Sequence, residues 1–179
     1  MAKRYQVDTA HSSITFTVKH MMISKVKGEF KSFDIEANGT PDQLAEARVK
    51  VTIQAASIDT NNTDRDNHLR SGDFFNADEY PELVFESTSF RSKGGGEFDL
   101  VGQLTIRGTT REETFHVEYE GSAKDPWGNM KHAFSGEGSL NREDYGLTWN
   151  QALEAGGVLV DKKVKFEFEL QFTESEADA

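Results

Sequence analysis

The sequence predicts an all-β protein: one eight-stranded antiparallel up-and-down barrel with a short helical segment near residues 62–77. Apolar and polar residues alternate along most of the chain, turn residues separate the alternating runs, and the helical segment lacks the alternation. Strands with one dry face must close or stack to bury it, and closure removes exposed sheet edges. A two-sheet sandwich is the structural alternative.

Six runs carry the alternation. In the run 12–20, Ile14 and Phe16 lie on one face, and serine, threonine and lysine lie on the other. The other runs are 47–55, 97–108, 113–121, 133–141 and 163–172. Shorter strands are expected near 5–8 and 83–90, which gives about eight strands. One wet and one dry face per strand is typical of antiparallel sheet.

One further region changes phase midway. Its first apolar pair, Val26 and Phe30, has one parity, and its second pair, Phe33 and Ile35, has the other. A β-bulge at residues 31–32 would keep all four side chains inward.

Turn signals punctuate the chain at Asn38-Gly39 and at residues 93–96, 108–110 and 125–129. All three prolines also lie in breaks between runs. With no repeat and no linker, the sequence predicts a single domain over residues 1–173. An acidic, flexible tail is expected over 174–179.

The predicted barrel has a long apolar interior. Strands of about 10–12 residues, tilted by about 40 degrees, would make it about 27 Å tall. Gly102, Gly136 and Gly138 occupy inward positions. They would either leave room for a long channel or relieve crowding in a solid core.

Composition excludes several classes of partner. The chain has 179 residues, no cysteine and a formal charge of −11, so it repels nucleic-acid phosphates and anionic membranes. This charge makes nucleic acid an unexpected partner. Stable membrane insertion is not expected either, because no run reaches the roughly 18 apolar residues of a membrane helix. Without a recognisable signal peptide, the expected location is cytoplasmic.

Few motifs suggest chemistry. The sequence lacks the nucleophile elbow, the P-loop and the dinucleotide fingerprint. His11, His20 and His68 would form a metal site only if the fold assembled them, and hydrogen bonding is the favoured interpretation. We therefore expect no catalytic residue, no metal and no cofactor other than a bound lipid.

The non-alternating segment is predicted to cap one barrel end. Asn62 and Thr63 are good N-caps for a helix reaching Arg70, and Gly72 suits its end. The adjacent Phe74 and Phe75 point about 100 degrees apart on a helix, so both bury only against a concave apolar surface. A plain helical plug of the core is the alternative.

A second aromatic feature follows the last hairpin. Leu147 and Trp149 precede a loop that ends at Gly156-Gly157. This stretch would either wall the opposite flank of a pocket or serve packing alone.

A set of short blocks resembles the YceI family of polyisoprenoid-binding, lipocalin-like proteins from about Asp8 to Phe172. The blocks are Asp8-x-x-His11-Ser12, Phe16-x-Val18-Lys19-His20, Val26-Lys27-Gly28-x-Phe30, Ser57-Ile58-Asp59-Thr60, Arg65-Asp66-x-His68-Leu69-Arg70-Ser71-x-Asp73-Phe74-Phe75, Tyr80-Pro81, Gly102-x-Leu104-Thr105-Ile106-Arg107-Gly108 and Asn141-Arg142-x-Asp144-Tyr145-Gly146. The resemblance implies a lipocalin-like barrel whose apolar pore holds an isoprenoid or another amphiphilic chain. It also implies a homodimer.

The resulting functional hypothesis is binding of a long-chain lipid, either an isoprenoid such as a polyprenyl pyrophosphate or quinone, or a fatty amide, for carriage, storage or sensing. The expected lining residues are Phe16, Val18, Phe30, Val51, Ile53, Phe74, Phe75, Phe85, Leu104, Ile106, Phe115, Val117, Phe134, Phe166 and Phe168. The candidates for head-group contact are His20, Arg65, His68 and Arg70, with each arginine equally able to pair with a nearby aspartate.

Two alternatives stay open at this point. One is an enzyme acting on a small substrate at the barrel mouth, with His20 or His68 and an aspartate. The other is a stress-related interaction protein with a filled core.

Overall fold

A computed structural model describes residues 3–21, 23–39, 47–150 and 159–176. Within these residues the chain forms one helix, α1 (Thr63–Arg70), and many strands. The strands are β1 (Lys3–Val7), β2 (Ser13–His20), β3 (Ser24–Phe30), β4 (Phe33–Asn38), β5 (Arg48–Gln54), β6 (Ile58–Asp59), β7 (Glu82–Gly94), β8 (Glu97–Ile106), β9 (Thr109–Lys124), β10 (Met130–Asn141) and β11 (Val160–Glu176). No helix among the described residues is both long and apolar enough to span a bilayer.

The sheet closes on itself. Pairing runs in the order β1, β4, β5, β7, β8, β9, β10, β11, and β11 then pairs with β1. The described pairings are antiparallel. The predicted eight-stranded antiparallel barrel with one short helix is therefore confirmed, and the sandwich alternative is wrong.

Three short strands lengthen the barrel at one end. β2 pairs with the first part of β11, β3 pairs with β2, and β6 pairs with β3. β1 and β2 thus act as one long strand interrupted at residues 8–12, and β3 and β4 act as another. β6 continues β5 in the same way across residues 55–57, so eleven strand segments produce an eight-stranded wall.

The phase change between β3 and β4 is a full interruption, so the predicted bulge at residues 31–32 is wrong. The Lys31 amide donates to the Ser57 carbonyl (3.2 Å), and the Ser32 carbonyl accepts from the Gln54 amide (2.9 Å). Both residues leave the ladder because the two strands serve different partners. Of the four side chains expected to face inward, Phe30 and Ile35 are buried, and Val26 and Phe33 are half-buried.

The interruption between β1 and β2 is organised by Asp8. Its carboxylate accepts from the Ala10 amide (3.2 Å) and meets His11 Nδ1 (2.8 Å) and Lys131 Nζ (3.0 Å). These partners, His11 before Lys131, lower the pKa of Asp8 to about 2. The first block of the family resemblance therefore ties the chain to β10.

Two boundaries differ from expectation. β11 runs through Glu176, because residues 174–176 pair with Tyr5, Arg4 and Lys3, so these three residues are strand and not the expected flexible tail. β4 ends at Asn38, at the expected hairpin turn, and pairs with β5. However, β5 starts only at Arg48. Residues 40–46 and 177–179 lie outside the described chain.

The inward glycines accommodate phenylalanine rings from neighbouring strands. A Cβ on Gly136 would collide with the Phe168 ring, and one on Gly138 would meet Phe115 at 2.5 Å. Gly102 is covered in the same way by Phe85. The glycines therefore relieve crowding, and a ring fills the space that each leaves.

We expect Gly136→Ala to destabilise the fold by about 1–3 kcal/mol, because the new methyl group forces Phe168 from its place. Urea unfolding measures the change. Gly72→Ala is the matched control: a methyl group at Gly72 would meet nothing within 4 Å, so its effect stays within about 0.5 kcal/mol. Equal effects of the two substitutions would contradict the packing role.

The lowered pKa of Asp8 should make the stability of the fold depend on pH. Its pKa falls from 3.8 to about 2 on folding, so the stabilisation is complete above pH 3.8 and is lost as the pH falls through 2. Asp8→Asn should lower the free energy of unfolding at pH 7 by about 1 kcal/mol, with the gap closing between pH 4 and pH 2. The exposed Asp34→Asn serves as control; a gap independent of pH would refute the assignment.

Candidate functional site

Three apolar cavities follow one another along the barrel axis. The hairpin chamber lies near the turns at 94–97 and 124–130, the middle chamber follows it, and the helix chamber lies beside α1. They leave about 80, 100 and 60 Å³, respectively, to the centre of a water-sized sphere. Val49 and Phe168 line both the hairpin and middle chambers, and Phe166 lines both the middle and helix chambers. Because they share these residues, the three apolar chambers adjoin one another, and this row of chambers is called the channel below.

All fifteen residues expected to line the pore lie on these chambers. The hairpin chamber takes Val117, Phe134 and Phe168. The middle chamber takes Val51, Ile53, Phe85, Leu104, Ile106, Phe115, Phe166 and Phe168. The helix chamber takes Phe16, Val18, Phe30, Phe74, Phe75, Ile106 and Phe166. Period-two alternation thus identified the channel wall, while contact of these residues with a lipid stays a prediction.

The segment after α1 closes the helix end of the channel. Asn62 caps α1 by accepting from the Arg65 amide (3.0 Å). Phe74 is buried, and Phe75 packs edge-on against Phe30 with ring centroids 5.8 Å apart. The two adjacent phenylalanines therefore both face the concave barrel end, as their position in the sequence predicted.

The arginines of α1 hold the helix to the chain before it. Arg65 donates to the hydroxyl and the carbonyl of Thr60, both at 2.8 Å. Arg70 donates to the carbonyls of Ala56 (2.9 Å) and Ile58 (3.1 Å). Among the described residues, neither guanidinium lines a chamber or forms an ion pair with an aspartate. These hydrogen bonds give both arginines a structural role, and their contact with a head group stays a prediction.

The histidine candidates also lie outside the channel wall. His68 Nε2 meets Asp73 at 2.9 Å, and its ring packs edge-on against Phe74 and Trp149, with centroids 5.1 and 4.6 Å away. His20 is half-buried at the end of β2. Among the described residues, no group of three His, Asp or Glu side chains is close enough to hold a metal ion.

Trp149 supports the helix end through this contact with His68 and a second one with Phe74, at 5.5 Å. Leu147 is buried and lines the helix chamber. The stretch after the last hairpin therefore both packs and walls the channel. Its predicted end at Gly156-Gly157 lies outside the described residues.

Arg142 lines the helix chamber and was missed as a site residue. It is 4% exposed and donates to the carbonyls of Leu147 (2.6 Å), Trp149 (2.9 Å), Asp161 (2.9 Å) and Val160 (3.1 Å). Burial lowers the pKa of its guanidinium, which stays charged at neutral pH. The alternation contained the signal, because Arg142 continues the inward phase of β10.

Tyr145 lies beside Arg142 in the same chamber wall. Its hydroxyl donates to Glu113 Oε1 at 2.7 Å. Burial, and secondly the bond to this carboxylate, raises the pKa of the phenol, so the side chain is neutral at every physiological pH. Tyr145 therefore adds no negative charge to the helix chamber.

His132 places a polar group in the wall of the hairpin chamber. Its ring is buried, with Nδ1 2.9 Å from the Tyr119 hydroxyl and Nε2 2.6 Å from Glu174 Oε2. His132 shares the inward phase of Phe134 on β10. Hydrogen bonds take up the polar atoms of Arg142 and His132, and the surfaces of the helix and hairpin chambers are apolar.

Anchoring of α1 depends on the buried Asp66, whose Oδ1 accepts from the Thr60 amide (2.8 Å) and hydroxyl (2.6 Å). Asp66→Ala leaves these donors unpaired, and we expect a loss of about 2–3 kcal/mol in urea unfolding with faster amide exchange in α1. The exposed Asp64→Ala, in the same helical turn, should cost less than about 1 kcal/mol. Similar losses for both would count against the anchor.

Comparison with known proteins agrees with this geometry. A sequence profile described as the YceI-like domain matches residues 5–172. The UPF0312 protein SA2479 of Staphylococcus aureus (strain N315) is 46% identical over 173 residues, 96% of this chain and 98% of the relative. The UPF0312 protein SERP2314 of Staphylococcus epidermidis is 44% identical over 171 residues, 95% of this chain and 97% of the relative.

Solved structures share the fold. The Campylobacter jejuni YCEI protein superposes with a TM-score of 0.76 at 32% identity, covering 88% of this chain and 90% of that one. Burkholderia cenocepacia BcnA gives 0.81 at 24% identity, covering 92% and 98%. A polyisoprenoid binding domain from Saccharophagus degradans gives 0.67 at 13% identity, covering 95% and 98%. On the profile match and the relatives' identity over nearly the whole chain, this protein belongs to the YceI family.

Proposed function

We propose that this protein binds a long-chain apolar or amphiphilic lipid in its barrel channel, for carriage, storage or sensing. The observation that carries the proposal is the run of three apolar chambers with shared walls. A similar barrel from Saccharophagus degradans is described as polyisoprenoid binding. At 13% identity that likeness concerns the fold, so the proposal depends on the channel of this chain.

The energetics suit a chain-like ligand. Each CH₂ group moved from water into an apolar cavity contributes about 0.8 kcal/mol. About ten buried carbons therefore reach micromolar affinity after the ordering costs of binding are subtracted. An isoprenoid or a fatty-amide chain meets this requirement, and the fifteen lining residues are its proposed contacts.

The channel favours binding over catalysis. His68 and Asp73, the pair that an enzyme at the barrel mouth would use, are outside the chamber walls and partly exposed. The His68 ring packs edge-on against the Trp149 ring, and this contact supports the helix end of the channel. We therefore propose a non-catalytic role.

Native mass spectrometry of the purified protein, followed by organic extraction, tests lipid binding. We expect a co-purified lipid, or a higher unfolding temperature when delipidated protein receives prenyl or fatty-chain ligands. Protein that is free of lipid and gains no stability from either ligand class would overturn the proposal.

Blocking the channel tests its location. Val49 faces the junction of the hairpin and middle chambers, and Val49→Phe should weaken a sixteen-carbon ligand at least tenfold because the added ring obstructs the passage. The neighbouring Lys50 is exposed on the outer face, so Lys50→Phe should leave the affinity unchanged. Isothermal titration calorimetry measures both; equal affinities for the two variants would place the ligand elsewhere.

We also propose a cytoplasmic location and a homodimer. The location is the one expected from the N-terminal sequence, and the dimer is the one implied by the family resemblance. Cell fractionation checks the first. Light scattering coupled to size exclusion checks the second, with a monomer mass as the contrary result.

A further inference from the structure

We propose that the turn between β2 and β3 docks this protein reversibly on the surface of an anionic lipid bilayer. The turn residues Met21 and Ile23 enter among the lipid head groups, and lysines of the neighbouring strands contact the lipid phosphates. The inference goes beyond lipid binding in the channel, and it holds or fails whether or not the channel is occupied. It gives the barrel a partner surface and an orientation on it.

The first support is the exposed apolar surface of this turn. Ile23 is 86% exposed and Met21 is 45% exposed. An isolated exposed apolar residue needs no explanation, but two at one turn form a patch that a bilayer can cover. The Met21 amide donates to the Leu159 carbonyl (2.7 Å), and the Ser24 hydroxyl donates to the His20 carbonyl (3.2 Å). The fold therefore holds the backbone that presents both side chains to solvent.

The second support is a face of lysines directly behind the turn. Lys19 of β2 lies opposite Lys25 of β3, and Lys27 follows Lys25 on the same face. Lys163 of β11 also points outward, because the next residue, Val164, lines the helix chamber. All four lysines are exposed on three adjacent strands, and they are called the lysine face below.

The positive charge of the lysine face is not balanced by the fold. The lysine ion pairs of the described chain involve Lys31, Lys50, Lys93, Lys131 and Lys165. Residues 17–27 and 159–165 contain six lysines and one acidic residue, Asp161, although the formal charge of the chain is −11. Like charges directly opposite each other destabilise a sheet. Phosphates of a bilayer would remove this repulsion between Lys19 and Lys25.

Protection of a strand edge does not explain the whole lysine face. Lysine commonly guards an exposed edge. Within the described chain, β3 pairs with β6 at residues 29–30 alone, so edge protection accounts for Lys25 and Lys27. However, Lys19 and Lys163 belong to β2 and β11, which have a partner strand on each side. These two lysines need another reason, and an anionic partner supplies it.

The acidic remainder of the protein favours one orientation on the bilayer. Charges are screened beyond about 8 Å at physiological ionic strength, so nearby lysines decide the attraction at this end. Lys19 and Lys25 each lie two residues from an apolar turn residue, which is about 7 Å along a strand. Val18 of β2 lines the helix chamber. Docking therefore brings the helix end of the channel to the bilayer.

Vesicle sedimentation tests docking on the unmodified protein. We expect binding to vesicles made of equal parts phosphatidylcholine and phosphatidylglycerol to be at least tenfold tighter than binding to phosphatidylcholine alone. High salt should release the protein from the mixed vesicles. Equal binding to both kinds of vesicle, or binding to neither, would overturn the proposal. Neither result bears on ligand binding in the channel, which the calorimetry and mass spectrometry above test separately.

Variants separate the lysines from the apolar turn. Lys19→Gln combined with Lys25→Gln should weaken binding to the mixed vesicles about 25-fold, since each lysine near an anionic surface contributes about fivefold. Ile23→Ser should weaken it about tenfold. The control combines Lys50→Gln with Lys93→Gln, which removes the same charge elsewhere on the barrel, and should have no effect.

Two outcomes of these variants would overturn docking on a bilayer. An equal loss of binding in the control would show attraction to lysines in general. A loss in the Lys19 and Lys25 variant with no loss in Ile23→Ser would indicate an acidic protein as the partner of the lysine face, because the apolar turn would then contribute nothing.

A fluorescent label tests the orientation independently of affinity. The chain has no cysteine, so Ile23→Cys and Trp127→Cys each provide a single site for an environment-sensitive dye. These two side chains are 86% and 83% exposed, in turns at opposite ends of the barrel. With the mixed vesicles we expect dye emission to rise at position 23 and to stay unchanged at position 127. A rise at 127, or no rise at 23, would contradict the proposed orientation.

Discussion

The pairing of β11 with strands on both of its sides is the constraint on which the rest of the structure depends. One side pairs with β10, and the other with β2 and then β1. Without this second seam the barrel would have two open edges and its interior would fill with water. The apolar channel, the burial of Arg142 and the cap formed by α1 all presuppose that β11 closes the wall.

Phenylalanine rings shape the space inside that wall. Rings of Phe85, Phe115 and Phe168 lie over glycines of adjacent strands, so each ring fills the space that a larger side chain would take at the wall. The same stretch of sheet therefore has a dense wall and a narrow lumen. Such a lumen suits a flexible chain more than a bulky fused ring system.

The sequence was sufficient for the strands and the channel wall because both depend on local alternation. It was insufficient where a residue's role depends on distant partners. In the sequence, Arg65 and Arg70 resemble ligand-binding cations. In the folded protein, their N–H groups donate to backbone carbonyls of residues 56–60. The phase change located the irregularity at residues 31–32, but local alternation could not show that β3 and β4 pair with different strands there.

Arg142 shows a different reason for a missed residue. Its inward phase was visible, but its position beside Asn141 and Glu143 suggested a polar turn. Only the packed structure shows that four carbonyls, from residues 147, 149, 160 and 161, converge on its side chain. A charged residue in the dry phase at a strand end therefore merits attention as a site candidate.

The seam between β2 and β11 also affects how the protein is made. The Thr15 hydroxyl bonds to the Glu167 carbonyl across 152 residues of chain. During synthesis, the first strands leave the ribosome long before their partner exists, and β10 waits with an unpaired edge. Such a barrel closes only after β11 has been synthesised. In that interval its apolar strands are exposed, and general chaperones are the natural protectors of the nascent chain.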